Sequence, residues 1–386
     1  MIPSVDLQLQ YTSLKPEIDQ AIQGVVDSGS FVLGSEVEAF EEAFAAYHGV
    51  RHCIGAGNGT DALSLTLLAA GIGPGDEVIT TPHTFGATLE AICQVGATPV
   101  LVDIDPVHYT MDVAGIGGVL TARTRAILPV HIYGHPVDMD PLMEIAERHD
   151  LRVIEDCAQA HGATYRDRLV GTIGDAGCFS FYPSKNLGAY GDAGGVVTDD
   201  DAIAERVRML RNHGQTTGGH KFYYHHVGFN SRMDGIQGAV LNVKLPHLEF
   251  WNAARQDRAA HYTEKLSHFP GLELPVEAGW ASHVYHLYVV QTDGRDALQE
   301  ALARDGIASG VQYPFPVHLT PAYGYLGYRA GDLPHYERAC RRIISLPMYP
   351  ELTYAQIDGI ADSLARHCHG SVPSAMRAPV EAGAAA

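Results

Sequence analysis

Residues 52–105 read HCIGAGNGTDALSLTLLAAGIGPGDEVITTPHTFGATLEAICQVGATPVLVDID, and this stretch decides the fold class. Short apolar runs (HCIGAG, EVITT and TPVLVDID) alternate with stretches of helical character (TDALSLTLLAAG and TFGATLEAICQVG). Such alternation is typical of βαβ units, in which a helix connects each strand to the next parallel strand. The stretch therefore predicts an α/β fold around a mostly parallel sheet.

The sequence on both sides of this stretch extends the same domain. Apolar positions at helical spacing predict two leading helices, over residues 14–28 and 36–48. Further along the chain, the run LRVIED and two candidate strands, GCFSFY and GGVVT, add to the sheet. We therefore expect a large domain over residues 1–245.

The rest of the sequence predicts a smaller α+β domain over residues 246–370. Its expected elements are a long helix (246–266), a strand (286–292), a helix (296–305), a strand (307–314) and two late helices (334–344 and 353–367). The tail over 371–386 is rich in alanine and lacks an apolar period, so we expect it to be disordered.

Charge and cysteine usage exclude several classes of protein. The formal net charge of −19, from 26 Lys+Arg against 45 Asp+Glu, argues against a nucleic-acid partner, because phosphate backbones are bound by dense basic patches. The six cysteines show neither a CxxC pair nor zinc-ligand spacing, so we expect reduced thiols and no metal. No signal-peptide pattern and no run of about 18 uncharged apolar residues occurs, which predicts a soluble cytoplasmic protein without a membrane partner.

A single lysine, Lys185, lies in the Ser- and Gly-rich loop of CFSFYPSKNLGAYGDAGGVVT, between the two candidate strands. A lone loop lysine is usually a solvated surface residue. A lysine that forms a Schiff base must be partly desolvated, so that its amine is neutral and nucleophilic, and loops at strand ends present such groups. Position alone leaves both interpretations open, and the neighbouring motifs favour the second.

A carboxylate, Asp156, ends the run LRVIED and precedes CAQAHGA. This is the C-terminal end of a buried parallel strand, where open α/β sheets bind their ligands. An aspartate against a pyridine nitrogen keeps the ring protonated, so that carbanion charge can spread into an electron-sink cofactor. An aspartate that caps the following turn is the alternative.

The stretch GAGNGTDALSLTLLAAG joins a strand to a helix through glycines and indicates a phosphate site. Backbone N–H groups and the helix dipole at the expected helix N-terminus, at Thr60 and Asp61, favour an anion, and the hydroxyl groups of Thr60 and Ser180 can add hydrogen bonds. The glycine pattern is weak evidence by itself, since it fits neither a Walker loop nor the dinucleotide motif.

An aromatic residue, Phe85, follows a strand in TPHTFGATLEA and stands at the start of a helix. Its planar face could stack on a cofactor ring, although ordinary core packing explains it equally well. His83 lies beside it and could contact a sugar. With 21 histidines in the chain, a structural role is the alternative for each one.

Five segments together, GNGTDAL, TPHTF, EDCAQAHG, SFYPSKNLGAYGDAGG and GFNSRMDGIQGAV, closely resemble the DegT/DnrJ/EryC1/StrS family of sugar aminotransferases. The likeness continues in order to YPFPVHLTPAY and SLPMYPEL. The family uses pyridoxal 5′-phosphate (PLP) and has fold type I. The resemblance therefore implies a large domain with a mostly parallel, seven-stranded type of sheet between helices, plus a smaller C-terminal α+β domain.

The resemblance also implies roles for matching positions. Lys185 would form the Schiff base and move the proton between the substrate carbon and the cofactor, while Asp156 would pair with the pyridine nitrogen. The other implied cofactor contacts are Gln159 near the ring hydroxyl, Phe85 stacked on the ring, Gly59, Thr60 and Ser180 at the phosphate, and Asn230 of GFNSR reaching the phosphate from the neighbouring subunit. A homodimer with shared sites follows.

Substrate contacts are implied more loosely. Arg232 stands near Asn230 and could meet an anion, with a surface arginine as the alternative. Tyr313 and His318 match a substrate-facing segment, His83 adjoins the stacking residue, and Lys221 belongs to the loop HGQTTGGHKFYYHHVG, whose composition suits a flap over a sugar nucleotide.

The expected reaction moves an amino group from L-glutamate to C3 of a 3-keto-6-deoxyhexose linked to dTDP. Amination of a dTDP-linked 4-keto sugar or a UDP-linked 3-keto sugar would use the same cofactor contacts and stays open. Relatives that dehydrate the sugar carry histidine in place of the lysine, so Lys185 speaks against dehydration. A PLP-binding regulatory or sensor protein without turnover is the alternative from another class.

Overall fold

The computed structural model describes residues 1–216, 220 and 222–367. The tail over 371–386, for which we predict disorder, and Lys221 lie outside the described residues. The helices are α1 (Leu7–Ser13), α2 (Lys15–Ser28), α3 (Ser35–His48), α4 (Gly59–Ala69), α5 (Ala87–Gln94), α6 (Met139–His149), α7 (Asp201–Arg211), α8 (Gly235–Lys244), α9 (Leu248–Leu266), α10 (Arg295–Arg304), α11 (Pro334–Arg342) and α12 (Tyr354–His367).

The strands follow the same chain order. They are β1 (His52–Ala56), β2 (Glu77–Thr80), β3 (Thr98–Leu101), β4 (Thr124–Leu128), β5 (Arg152–Asp156), β6 (Thr164–Tyr165), β7 (Arg168–Leu169), β8 (Ala176–Ser180), β9 (Gly194–Thr198), β10 (Leu272–Glu273), β11 (Ala281–Ser282), β12 (Tyr288–Thr292) and β13 (Ile343–Leu346).

Seven of these strands form the central sheet, in the order β1-β9-β8-β5-β4-β2-β3. Five neighbouring strands pair in parallel, namely β8, β5, β4, β2 and β3. Strand β9 is antiparallel to both of its neighbours, β8 and β1. The predicted α/β class with a mostly parallel sheet between helices is therefore confirmed.

The sheet is buried on both faces, which explains its continuous apolar runs. Val196 packs into the core on one face with α4, while Val197 packs on the other face with Phe40 and Phe44 of α3, because successive side chains of a strand point in opposite directions. The helix α4 is buried around most of its circumference and hence lacks a polar face.

The C-terminal part contributes a second sheet of three antiparallel strands, in the order β10-β12-β13. Its core contains residues of α9, α10 and α12. The strand predicted over 307–314 is wrong: Ile307 bridges Ile2 and Gly310 bridges Ser345, without a continuous ladder between them. Pro314 and Pro316 have no backbone N–H to donate, which disfavours a longer strand here. The domain division at residue 245 stays a prediction.

The topology places the carboxyl ends of β1, β2, β5 and β8 at one edge of the central sheet, because β9 is antiparallel to both β8 and β1. The loops after these strands carry the motifs singled out above. Among the described helices, none combines the length and the hydrophobicity that crossing a bilayer requires.

Candidate active site

A cavity of about 600 Å³ opens at this edge of the sheet. The loops after β1, β2, β5 and β8 form one wall, and the second wall comes from the segment around Gln312, from the end of β13 and from Ser4 and Val5 near the N-terminus. The residues singled out from the sequence that line it are Gly59, Thr60, Phe85, Asp156, Gln159, Ser180, Lys185 and Tyr313. The fold thus brings together segments that are far apart in the chain.

Asp156, the last residue of β5, is buried at the floor of the cavity. Its Oδ2 accepts a hydrogen bond from Thr88 Oγ1 (2.7 Å), and its Oδ1 accepts one from the backbone N–H of Ala158 (3.1 Å). Burial raises the pKa of the carboxyl, while these two hydrogen bonds and the charge of Lys185 act in the opposite direction. Each oxygen keeps a lone pair for a further donor.

Lys185 lies in the loop between β8 and β9 and faces the same cavity. Burial lowers the pKa of its ammonium to about 8, although the Asp156 carboxylate opposes that shift. The neutral, nucleophilic amine is therefore far more abundant near neutral pH than it is for an ordinary lysine. The loop is anchored because the N–H of Lys185 donates to Tyr182 O (2.9 Å) and the N–H of Ala189 donates to Phe181 O (2.7 Å).

Lys244 shows that a lowered pKa alone does not mark a reactive lysine. Burial also lowers its pKa to about 8. Its Nζ, however, donates to Gly188 O (2.5 Å), lies over the ring of Tyr190, and does not line the cavity. Position in the cavity distinguishes Lys185 from Lys244.

The start of α4 forms an anion site next to β8. Asn58 caps the helix by accepting from the N–H of Asp61 (2.8 Å), and within the described residues no acceptor meets the N–H groups of Gly59 and Thr60. A Cβ on Gly59 would lie 2.6 Å from Ser180 Cβ, so only glycine permits this close approach. The cavity is therefore lined at this point by the helix N-terminus together with the hydroxyl groups of Thr60 and Ser180.

Gln159 is fixed by two hydrogen bonds on the cavity wall. Its Oε1 accepts from the N–H of Tyr133 (2.7 Å), which leaves its Nε2 to donate to the hydroxyl of Tyr313 (3.3 Å). The ring of Tyr313 lies 5.8 Å from that of Phe85, centroid to centroid. Phe85 is 59% exposed, so it is not a core residue and its ring is free to meet a ligand.

Asn230 and Arg232 lie outside this cavity in the same subunit. Asn230 is exposed and forms a β-bridge with Asn212, whose Oδ1 accepts a hydrogen bond from Arg232 Nη1 (2.9 Å). Within one chain, neither side chain completes the site. Lys221, for which we predict a substrate contact, lies outside the described residues.

The structure does not place His83 and His318, for which we expect substrate contacts, in the lining of this cavity. His83 is 0% exposed, its Nε2 pairs with the hydroxyl of Tyr133 (2.6 Å), and burial lowers its pKa to about 3. His318 is 1% exposed and pairs with Glu337 (3.3 Å). Both imidazoles pack against aromatic rings, His83 against Tyr133 and His318 against Tyr336.

Several cavity residues have no clear signal in the sequence. Thr88, which orients Asp156, lies on α5, and its hydroxyl pairs at 2.6 Å with that of Thr84, which precedes the helix. His286 and Gln312 come from the C-terminal part of the chain. Only tertiary packing brings them to the sheet edge.

Comparison with known proteins identifies the class. A sequence model described as the DegT/DnrJ/EryC1/StrS aminotransferase family matches residues 12–365. The class is that of PLP-dependent aminotransferases of fold type I. The chain belongs to the DegT/DnrJ/EryC1/StrS family, and it is a PLP-dependent sugar aminotransferase.

Individual relatives are similar over nearly their whole length. The chain is 47% identical to the dTDP-3-amino-3,4,6-trideoxy-alpha-D-glucose transaminase of Streptomyces venezuelae, with 94% of this chain and 95% of that protein covered. It is also 47% identical to the Pleiotropic regulatory protein of Geobacillus stearothermophilus, with 94% and 98% covered. The crystal structure of S. venezuelae DesV in complex with a ketimine intermediate superposes with a TM-score of 0.93 at 46% identity, covering 96% of this chain and 99% of that one.

Proposed function

We propose that this enzyme transfers an amino group from L-glutamate to C3 of a 3-keto-6-deoxyhexose carried by dTDP. The observation that carries the proposal is the pairing, in one cavity, of Lys185 with a lowered pKa and the buried carboxylate of Asp156. A cavity of about 600 Å³ has room for a cofactor and a sugar.

The residues present fit PLP. The free lone pairs of Asp156 suit the N–H of a pyridinium ring, and the exposed ring of Phe85 offers a stacking face. The unpaired N–H groups at Gly59 and Thr60, beside the hydroxyl of Ser180, suit a phosphate at a helix N-terminus. Gln159 directs an N–H group toward the cavity, where the ring hydroxyl would lie.

When bound, PLP supplies the electron sink that stabilises negative charge on the substrate carbon. Asp156 keeps the ring nitrogen protonated, and Thr88 fixes the carboxylate in place. Lys185 would hold the cofactor at rest. Once the amino acid displaces it, its Nζ would take the proton from the amino-acid carbon and give it to the cofactor, and in the sugar half-reaction it would move a proton from the cofactor to the sugar carbon. Because the same group acts in both halves, its loss stops both.

We infer that two subunits share each site. Neither Asn230 nor Arg232 lines its own cavity, and Asn230 is exposed beside Asn212, where a second copy can receive it. In this arrangement Asn230 donates to the cofactor phosphate of the partner subunit. Arg232 supplies positive charge to an otherwise acidic protein that must bind phosphates. We also assign a substrate contact to Lys221, which precedes Asn230 in the sequence.

The sugar assignment is supported by similarity to the S. venezuelae transaminase, whose name specifies a dTDP-3-amino sugar. A dTDP-linked 4-keto sugar and a UDP-linked 3-keto sugar are the alternatives, because the cofactor contacts would be identical. Tyr313 lines the cavity, and we assign it to the sugar. Burial raises the pKa of its phenol, so it acts there as a neutral hydrogen-bond donor.

A regulatory role without turnover is favoured only by the name of the G. stearothermophilus relative. A protein that merely senses a ligand needs no lysine with a lowered pKa, yet Lys185 has one. We place the reaction in the cytoplasm, since the cysteines within the described residues are free thiols, as a reducing compartment would keep them.

Absorbance spectroscopy tests the proposal. The purified protein with PLP should lose its visible absorbance band when L-glutamate is added, with 2-oxoglutarate released, and should regain it with a dTDP-linked 3-keto-6-deoxyhexose. A panel that also contains a dTDP-linked 4-keto sugar and a UDP-linked 3-keto sugar identifies the acceptor. A spectrum that no amino acid changes would contradict the aminotransferase, and recovery only with another sugar would contradict the assigned substrate.

A further inference from the structure

His286 lines the cavity, and none of the roles above uses it. It stands just before β12 and is 8% exposed. Burial holds the pKa of its imidazole well below the usual value, and the nearby charges of Lys185 and Arg255 lower it further. The ring is therefore uncharged at neutral pH, and only one of its nitrogens carries a proton.

A directed chain of hydrogen bonds decides which nitrogen that is. The carbonyl of His161, which can only accept, takes a hydrogen bond from Asn252 Nδ2 (2.8 Å), so Asn252 Oδ1 faces Asn186. Asn186 Nδ2 donates to that oxygen (2.9 Å) and to Val284 O (3.1 Å). Asn186 Oδ1 must then face His286 Nδ1, at 3.1 Å, and accept from it. The proton lies on Nδ1.

The other ring nitrogen, Nε2, consequently carries a lone pair. Within the described residues Nε2 has no hydrogen-bond partner. It is not fully enclosed either, unlike the two ring nitrogens of His161, which are buried without a partner. It therefore faces the cavity that His286 lines. The same cavity is lined by hydrogen-bond donors, the amide of Gln159 and the N–H groups at the start of α4. Nε2 therefore presents a hydrogen-bond acceptor to the cavity.

We propose that Nε2 of His286 accepts a hydrogen bond from a hydroxyl group of the sugar, and that Asn186 makes this possible by holding the proton on Nδ1. The choice of ligand group follows from hydrogen-bond chemistry. Carboxylates and phosphates only accept, so the lone pair of Nε2 repels them, whereas a sugar hydroxyl donates. His286 thus distinguishes the sugar from glutamate in a cavity that binds both in turn. The inference rests on the proposed function.

The test measures the glutamate and the sugar half-reactions separately in the variant His286→Phe. Phenylalanine fills the space but cannot accept, so the ratio of the apparent sugar dissociation constant to the apparent glutamate dissociation constant should rise about tenfold, as expected for one lost hydrogen bond. His286→Gln, whose side-chain oxygen can accept, should recover part of the loss. His247→Phe, at a histidine stacked on Trp251 outside the cavity, is the matched control and should leave the ratio unchanged.

A second measurement does not depend on turnover. The ¹⁵N NMR spectrum of histidine-labelled protein without cofactor, assigned by comparison with His286→Phe, should show a protonated Nδ1 and an unprotonated Nε2. A proton on Nε2, or an unchanged ratio of dissociation constants in His286→Phe, would overturn the proposal. If the unmodified enzyme completes neither half-reaction, the proposed function itself fails, and that outcome is visible before any variant is compared.

Discussion

At the scale of single residues, the pKa values of Lys185 and Asp156 are shifted in opposite directions. Burial lowers the pKa of the lysine and raises that of the carboxyl, so each pKa lies closer to neutral pH than it would in water. The attraction between the two charged groups opposes both shifts. A lysine prepared in this way can attack a carbonyl without an added base.

The pKa of Lys185 predicts the pH dependence of cofactor capture. Since only the neutral amine reacts, the rate at which the apoprotein binds PLP covalently should rise from pH 6 to pH 9 and level off above the lysine pKa of about 8. Stopped-flow absorbance measures this rate. An inflection near the usual lysine pKa of about 10.4 would contradict the assigned environment.

Asp156→Asn should separate cofactor binding from catalysis. The amide still fits between Thr88 and Ala158 but cannot hold the pyridine nitrogen in its protonated form, so PLP should bind while the rate of each half-reaction falls at least 100-fold. Asp140→Asn on α6, which lies away from the cavity, serves as the matched control. A variant at Asp156 that retains full turnover would show that the carboxylate acts elsewhere.

At the scale of elements, the first turn of α4 is held against the end of β8 by a glycine. Gly59→Ala places a Cβ within 2.6 Å of Ser180 Cβ, so the helix start must move and its N–H groups no longer converge. We expect the affinity for PLP, titrated on the apoprotein, to fall about tenfold. Gly24→Ala in α2, where nothing lies within 4 Å, should leave PLP affinity unchanged. Equal PLP affinities for Gly59→Ala and the unmodified protein would exclude a phosphate site at the start of α4.

The end of β5 is fixed from its far side by Glu155. This buried carboxylate accepts hydrogen bonds from His131 Nε2 (3.0 Å) and from the N–H groups of Gly171, Ile173 and Gly174 (2.8 Å each). Burial alone would raise the pKa of Glu155, but these hydrogen bonds outweigh it and lower the pKa. The strand that carries Asp156 is thereby tied to the loop before β8.

Glu155→Gln should destabilise the fold by about 3 kcal/mol, because an amide cannot accept four hydrogen bonds and leaves buried N–H groups unpaired. Urea unfolding measures the change, with Glu144→Gln on the exposed face of α6 as the control. Since folding lowers the pKa of Glu155, its stabilisation is complete above the unfolded value of about 4.3 and is lost as pH falls below it. The variant should lack that part of the acid dependence.

Periodicity and motifs predict the sheet and the residues on its edge, but not the second wall of the cavity. Buried parallel strands leave continuous apolar runs, so the alternation over 52–105 suffices for the fold class. Their neighbours in sequence indicate substrate contacts for His83 and His318, yet packing buries both imidazoles outside the cavity lining. His286 and Asn186 meet only in the folded chain, 100 residues apart, and no local pattern marks such a pair.

At the scale of the whole molecule, the exposed position of Asn230 makes a shared site testable by complementation. Lys185→Ala inactivates its own cavity, while Asn230→Ala should weaken PLP binding about tenfold, the cost of a lost hydrogen bond to a charged group. If Asn230 serves the partner subunit, a heterodimer of the two variants contains one site with both residues intact. Co-expression should therefore restore turnover at low PLP concentration.

Each variant expressed alone provides the control for that experiment. Lys185→Ala should be inactive at any PLP concentration, and Asn230→Ala should be active only at high PLP concentration. If co-expressed subunits assemble but show no gain over Asn230→Ala alone, Asn230 does not act across an interface. Analytical ultracentrifugation should give twice the chain mass of 41.6 kDa for the active species.

The central claim, that Lys185 is the residue that holds the cofactor, is tested most directly by borohydride reduction of the PLP-loaded protein followed by tryptic mass spectrometry. The chain has five lysines, and a modified Lys185 resists cleavage, so the pyridoxyl label should appear on the peptide spanning 169–206. Lys244 shares the lowered pKa but not the cavity, and should stay unlabelled. Label on Lys244, or on no lysine, would contradict the account.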